Sequence, residues 1–189
     1  MLGIFQKIFG SNKSEKDVKK IEPIVGKVNH YFTAYQSISN DALRGKTTEF
    51  KERIQQHIKA ITEEIAAKKA AAEALSTTEM MAKDEAYNEI DKLIKERDKQ
   101  IEEVLLEIAA EAFAVVKETA RRFKENTDIV ATATEQDRNL SVKKEYVAIN
   151  GNQSTFKNTW LAGGGQVTWN MVHYDVQLIG GTVLHQGKI

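Results

Sequence analysis

STTEMMAKDEAYNEIDKLIKERDKQIEEVLLEIAAEAFAVVKETARRF, residues 76–123, is a helical pattern with no proline in it. Ile90, Leu93, Ile94, Ile101, Leu105, Ile108, Phe113 and Val116 recur at the spacing that gathers side chains on one helix face. The charge-dense run from Lys83 to Glu103 supplies the solvated face, with opposite charges three and four residues apart. Ser76-Thr77-Thr78-Glu79 has the form of a capping box, in which serine oxygen and glutamate carboxylate satisfy each other's free amides, so the helix is expected to begin there. Upstream, Ser39-Asn40-Asp41 punctuates the chain, and Leu43, Phe50, Ile54, Ile58, Ile61 and Ile65 predict another helix reaching Ala74. Two long helices joined by so few residues should fold back as an antiparallel hairpin with their isoleucine and leucine seams facing each other.

Downstream of Asn126 the composition turns to threonine, valine, asparagine and glycine, and the period changes from helical to alternating. Val142 to Ile149 reads as a strand, Asn150-Gly151 as a tight hairpin turn, and Thr155 to Leu161 as the partner strand. Gly163-Gly164-Gly165 then turns the chain into a third strand, Gln166 to Val172. Trp160 and Trp169 are read as packing residues of this β-rich part. At the other end, Ser14 reads as the N-cap of a helix running toward Tyr35, which Pro23 should kink or split. Met1 to Phe9, MLGIFQKIF, is a short amphipathic segment with Lys7, Lys13, Lys16, Lys19 and Lys20 in or beside it. It reads equally as a tail or helix on the body of the protein and as a contact with membrane or channel.

Bulk properties exclude more than they identify. The 189 residues hold 27 basic and 27 acidic side chains, so no global field points to nucleic acid, and none is expected as a partner. There is no cysteine, hence no disulfide framework or thiolate metal site. His30, His57, His173 and His185 show no ligand spacing. The apolar run from Val104 to Val116 is broken by Glu107 and Glu111, far short of the roughly 20 residues that span a bilayer. Gly163 to Gly165 continues as Gln166-Val167-Thr168 with no lysine, a turn and not a phosphate cradle.

Three collinear stretches carry a resemblance. Met171-Val172-His173-Tyr174-Asp175-Val176-Gln177-Leu178-Ile179-Gly180-Gly181 and on to Ile189 resembles the segment leading into the phosphate-binding loop of the SecA family of protein-export ATPases. Leu43-Arg44-Gly45-Lys46-Thr47-Thr48-Glu49-Phe50-Lys51-Glu52-Arg53 and Glu111-Ala112-Phe113-Ala114-Val115-Val116-Lys117-Glu118-Thr119-Ala120-Arg121-Arg122 are similar to that family's early helices. The residue patterns give an α+β fragment with a long antiparallel helical hairpin and a small antiparallel β-meander, and the resemblance implies that it leads into the first strand of a RecA-like P-loop domain. It divides the chain into an amphipathic segment (1–13), helices of the first nucleotide-binding domain (14–53), a hairpin insertion (54–100), a further helix (101–123), a β-rich insertion (124–170) and the adenine-side motif with that strand (171–189).

The resemblance further implies that Gln177 reads adenine, with Met171 and Tyr174 as walls beside the base; on its residues alone Gln177 is an ordinary polar side chain at a strand-to-turn boundary. A side-chain amide sets an acceptor beside a donor, matching the amino group and ring nitrogen of adenine. Val172 stands where the commoner pattern has arginine. ATP and magnesium are implied for the parent protein, with the phosphate-binding loop expected beyond Ile189, so the chain alone is expected to hold neither and to hydrolyse nothing. Implied partners are the Sec channel, preproteins and anionic lipid, the last through Leu2, Phe5, Lys7 and Phe9. The implied location is cytoplasmic, peripheral on the inner face of the cell membrane. The fragment itself is expected to self-associate through an unpaired strand holding Val183, Leu184 and Ile189. The rival reading is a non-enzymatic helical-hairpin module that binds a protein partner.

Overall fold

The computed structural model describes residues 13–76 and 78–188, with side chains from Val18 onward. Expectations for Leu2, Phe5, Lys7, Phe9 and Ile189 lie outside these residues. Six helices and five strands are described: α1 (Lys13–Tyr35), α2 (Asn40–His57), α3 (Lys59–Ala74), α4 (Met80–Glu125), β1 (Asp128–Thr132), α5 (Glu135–Ser141), β2 (Val147–Asn150), β3 (Gln153–Lys157), β4 (Thr159–Ala162), β5 (Gly165–Thr168) and α6 (Asp175–His185). No described helix is long and apolar enough to cross a membrane. The chain divides into two compact units, one of residues Gly45–Ala109 and one formed by the segments on either side of it.

In the Gly45–Ala109 unit, α3 and the first half of α4 fold back on each other around buried Ile61, Ile65, Ala72 and Ile90, with Leu93 and Ile94 against them. Two details differ from the sequence reading. The helix expected to run unbroken to Ala74 is interrupted at Ile58, whose carbonyl accepts both the Thr62 amide at 3.0 Å and the Thr62 hydroxyl at 2.7 Å. Such back-bonding by threonine bends helices. Ser76 does not cap α4: Glu79 accepts from the Ser76 amide at 3.0 Å, but the Ser76 hydroxyl takes the Thr78 amide at 3.2 Å, and the helix begins at Met80. Ser76 to Glu79 is therefore a closed turn ahead of the helix.

In the other unit, α1, α4 and α6 bury Ile21, Val25, Val28, Tyr35, Ala110, Ala114 and Leu178, with Leu43 from the first turn of α2. Pro23 lies inside α1 without splitting it, and Ser14 falls within the helix instead of ahead of it. The corner between α1 and α2 is fixed by one side chain of α4. Arg122 donates to the carbonyls of Tyr35 (2.9 Å) and Ile38 (2.7 Å), to Asn40 Oδ1 (2.6 Å) and to Glu118 Oε1 (2.8 Å). Glu118 is fully buried and also takes two bonds of 2.7 Å from Arg121. Burial alone would raise the Glu118 pKa, but the hydrogen bonds from Arg121 and Arg122 outweigh it and the net shift is downward.

The β-rich part is two small sheets, not one meander. β1, β3 and β2 form an antiparallel sheet in that order, aligning Ile129, Phe156 and Val147 in one row and, two positions along, Ala131, Ser154 and Ile149 in another. A tight turn joins β2 to β3 where it was expected, but one residue later: Asn150 ends β2 paired with Gln153, and the loop is Gly151-Asn152, with Gly151 at φ +59°. The partner strand ends at Lys157, however, and Thr159–Ala162 leaves to pair with β5 alone. That second turn places Gly163 and Gly164 at φ +59° and +82°, a geometry glycine adopts without a Cβ penalty. The strand expected from Val142 starts only at Val147, because Lys143 and Lys144 both donate to the Leu140 carbonyl and close off α5.

The last element corrects the sequence reading most. Where the entry into a first RecA-like strand was expected, Asp175–His185 is a helix, and no strand follows β5 among the described residues. Leu178 and Thr182 fall one turn apart on its buried face. Gly187, at φ +67°, ends it in a Schellman motif, with Lys188 donating to Val183 at 3.0 Å and Gly187 to Leu184 at 2.9 Å. Val183 and Leu184 are therefore in a helix, and the unpaired strand expected to drive self-association is absent from the described residues.

The first turn of α2 clamps the β-rich part. Arg44 holds Asp137 at 2.8 and 2.5 Å, Asp41 accepts from the Thr132 amide (2.8 Å) and hydroxyl (2.9 Å), and Asn40 donates to the Val130 carbonyl at 2.8 Å. Asp137 also caps α5 reciprocally with Thr134. Hydrogen bonds from Arg44, reinforced by Thr134, hold the Asp137 carboxyl well below the usual carboxylate range against its burial. A depressed folded pKa contributes stability above the unfolded value, about 3.9 for aspartate, and loses it as pH falls through the folded value. Urea midpoints should therefore drop from pH 5 toward pH 2, and Asp137→Asn should lower stability at pH 7 while flattening that drop. Glu118→Ala leaves two arginines facing a buried void and should cost about 3–5 kcal/mol by urea unfolding. Lys68→Ala, in a solvent-exposed pair with Glu89, should leave the midpoint essentially unchanged.

Candidate functional site

The segment from Trp169 to Thr182 is held from several directions. The Trp169 indole N–H reaches the Ala120 carbonyl on α4 at 3.1 Å and the Met171 carbonyl at 2.8 Å, which fixes the path of the chain just ahead of α6. Asp175, in the first turn of α6, accepts from Asn29 of α1 at 3.1 Å and lies 3.5 Å from Lys117 Nζ of α4. Lys117 also donates to Asn29 Oδ1 at 2.7 Å, and its ammonium lies 5.1 Å from the centre of the Phe32 ring. Farther along, Leu178 and Thr182 are buried, and the Thr182 hydroxyl closes on the Leu178 carbonyl at 2.8 Å. Gly181 packs on Phe113 so closely that a Cβ there would lie 3.1 Å from the ring, whereas Gly180 has open space.

With that face inward, α6 turns Tyr174, Val176 and Gln177 outward, and Met171 is exposed ahead of them. The Gln177 carbonyl oxygen accepts the Tyr174 backbone amide at 2.9 Å. Because a backbone N–H can meet only the oxygen of a side-chain amide, this bond fixes the orientation of the group and turns its NH₂ away from the helix end. The structure thus places Gln177 and Tyr174 together in one turn, at a helix start and not at the strand-to-turn boundary of the residue-level reading. Met171 lies three residues ahead of Tyr174, tied through Trp169. The donor set suits an adenine edge: the NH₂ group supplies donors and the oxygen keeps a second lone pair. Among the described residues no three histidine, aspartate or glutamate side chains converge as a metal site would require.

Sequence reasoning overlooked two features of this unit. A cleft of about 510 Å³ opens beside α4, walled by Val116, Phe123, Tyr146, Phe156, Trp160 and Trp169. His173 borders it with a buried Nδ1 that has no hydrogen-bond partner, while Met171, Tyr174 and Gln177 are not among its walls. The two tryptophans read as packing residues thus line this cleft, and Trp169 ties the β-rich part to α4. The Asn29–Lys117–Asp175 cluster was also missed, since its members lie up to 146 positions apart. The Thr134-x-x-Asp137 cap, by contrast, was a legible signal for α5.

The family model described as the SecA DEAD-like domain matches residues 5–189. The chain belongs to the SecA DEAD-like domain family. It is 46% identical to the protein translocase subunit SecA of Flavobacterium psychrophilum over 183 residues, 97% of this chain and 16% of that protein. It is 44% identical to the subunit of the same name from Amoebophilus asiaticus, over 100% of this chain and 17% of that protein, and 43% identical to that of Porphyromonas gingivalis over 97% and 16%. The chain thus spans about one sixth of the length of these relatives, and the alignments run through both segments read as insertions. No solved structure matches it significantly.

The contrast between the two α6 glycines is a direct test of how the helix is seated. Gly180→Ala should stabilise by about 0.5–1 kcal/mol, the helix-propensity gain of alanine over glycine. Gly181→Val forces a branched side chain into the Phe113 ring and should destabilise by roughly 1–3 kcal/mol, both read as shifts in urea midpoint.

Proposed function

We propose that this chain is the N-terminal part of a preprotein translocase motor that couples ATP hydrolysis to protein export, and that it supplies the adenine-side edge of the ATP site. The family membership supports the parent activity. The observation that carries the site is the Gln177 amide, oriented by the Tyr174 N–H and presented outward at the start of α6. Its NH₂ group would donate to the adenine ring nitrogen while the carbonyl oxygen accepts from the exocyclic amino group. Tyr174, 73% exposed, and Met171, 36% exposed, supply surface against which a flat base can lie.

In this reading α6 leads toward a RecA-like nucleotide-binding core. The chemistry of phosphoryl transfer, which depends on positioning phosphates and magnesium, belongs to residues of the parent outside this chain. ATP and magnesium are cofactors of that parent. The Sec channel and preproteins are its partners, and the amphipathic start, with Leu2, Phe5, Lys7 and Phe9, gives it a peripheral contact with anionic lipid from the cytoplasmic side. The units assigned to 54–100 and 124–170 are read as additions to the common scaffold shared with the relatives named above.

Guanine presents a carbonyl where adenine presents its amino group, so a fixed glutamine amide discriminates between them. In the full-length protein, Gln177→Ala should weaken ATP binding by roughly 1–2 kcal/mol, about 5- to 30-fold, and erode the preference for ATP over GTP, measured by calorimetric titration of both nucleotides. Wild-type affinities for both would remove Gln177 from the site.

A further inference from the structure

We infer that Lys117 and Asn29, acting through Asp175, are positioning residues for adenine recognition: they fix the first turn of α6 and thereby the place from which Gln177 reaches the base. This inference rests on the adenine-side reading of Gln177 given above.

The geometry that carries it joins three elements at one point. Lys117 belongs to α4 and is only 8% exposed, a costly position for an ammonium unless its charge is compensated. Its compensation is specific: Asn29 Oδ1 at 2.7 Å, Asp175 Oδ1 at 3.5 Å and the face of Phe32 at 5.1 Å. Asn29 uses both ends of its amide, accepting from Lys117 and donating to Asp175 at 3.1 Å. A carboxylate in the first turn of a helix is also favoured by the helix dipole. The result is a three-way link in which the α6 terminus is held by polar contacts to α1 and α4, separately from the apolar contacts of Leu178 and Gly181 farther along.

The link acts on Gln177 over a short path. Asp175 follows Tyr174, whose backbone N–H orients the Gln177 amide, and Gln177 is two residues beyond Asp175 in the same turn. A helix end released from this link keeps its buried anchors at Leu178 and Thr182 but frays in its first turn. The Gln177 amide then loses its orientation, and discrimination that depends on a fixed donor and acceptor is lost before the fold is.

Asp175 is 62% exposed at its side chain, so its removal tests the link without opening the core. In the full-length protein, Asp175→Ala should weaken ATP binding about 3- to 10-fold while leaving GTP binding within about twofold, so that the ATP-over-GTP ratio falls. Lys117→Met, which keeps the length of the buried stem, should lower the same ratio, with folding checked by circular dichroism and thermal melting. Asp175→Glu should restore part of the ratio. A purely structural role would instead lower both nucleotides by the same factor. Equal losses for ATP and GTP, or an unchanged ratio in Asp175→Ala, overturn the inference. Gln177→Ala measured in parallel separates the two levels. A lowered ratio there with an unchanged one in Asp175→Ala defeats only the positioning role. An unchanged ratio in Gln177→Ala defeats the adenine reading and the positioning role with it.

Discussion

A buried carboxylate facing two arginines organises the unit that carries the candidate site. Glu118 has no solvent access, and removing a charge from water is affordable only when hydrogen bonds replace its hydration. Arg121 and Arg122 supply them, and Arg122 then spends its remaining donors on the Tyr35 and Ile38 carbonyls and on Asn40. One guanidinium thus binds the last carbonyl of α1, a carbonyl of the turn that follows and the first residue of α2, and anchors all three to α4. A planar fork with five donors can do this where a lysine could not.

The clamp on the β-rich part depends on that corner. Asn40 both accepts from Arg122 and donates to Val130, so the polar chain continues from the buried pair into β1. Asp41 and Arg44, on the same turn of α2, complete it at Thr132 and Asp137. The first turn of α2, Asn40 to Arg44, is therefore the polar link between the helices and the sheet. The cleft lined by Trp160 and Trp169 is a consequence of this docking, since it forms where the small sheets meet the exposed side of α4.

Two kinds of contact seat α6. Apolar contacts at Leu178 and the close approach of Gly181 to Phe113 fix how deep the helix lies. Polar contacts at Asp175 and the Gln177 to Tyr174 bond fix its first turn. The first set resists separation, and the second, being directional, resists rotation. The orientation of the Gln177 amide depends on the second kind.

Periodicity and turn residues in the sequence were enough to determine that the chain has long helices, that two of them turn back on each other, and that tight turns fall at Gly151 and at the glycine run. These are local properties, set by apolar spacing and by backbone angles that glycine alone adopts freely. The family-like stretch from Met171 onward also named Gln177 as a candidate. Tertiary structure alone decided the rest: that Asp175–His185 is a helix whose Leu178 has a core to enter, that Pro23 is accommodated inside α1, and that the strands separate into two sheets. The strand expected at Val183 came from the resemblance, whereas the apolar residues there read alike as strand or helix until a partner surface selects one. Charges far apart in sequence, such as Arg44 with Asp137 or Lys117 with Asn29 and Asp175, become partners only when packing places them together, because no sequence period records a contact between distant segments.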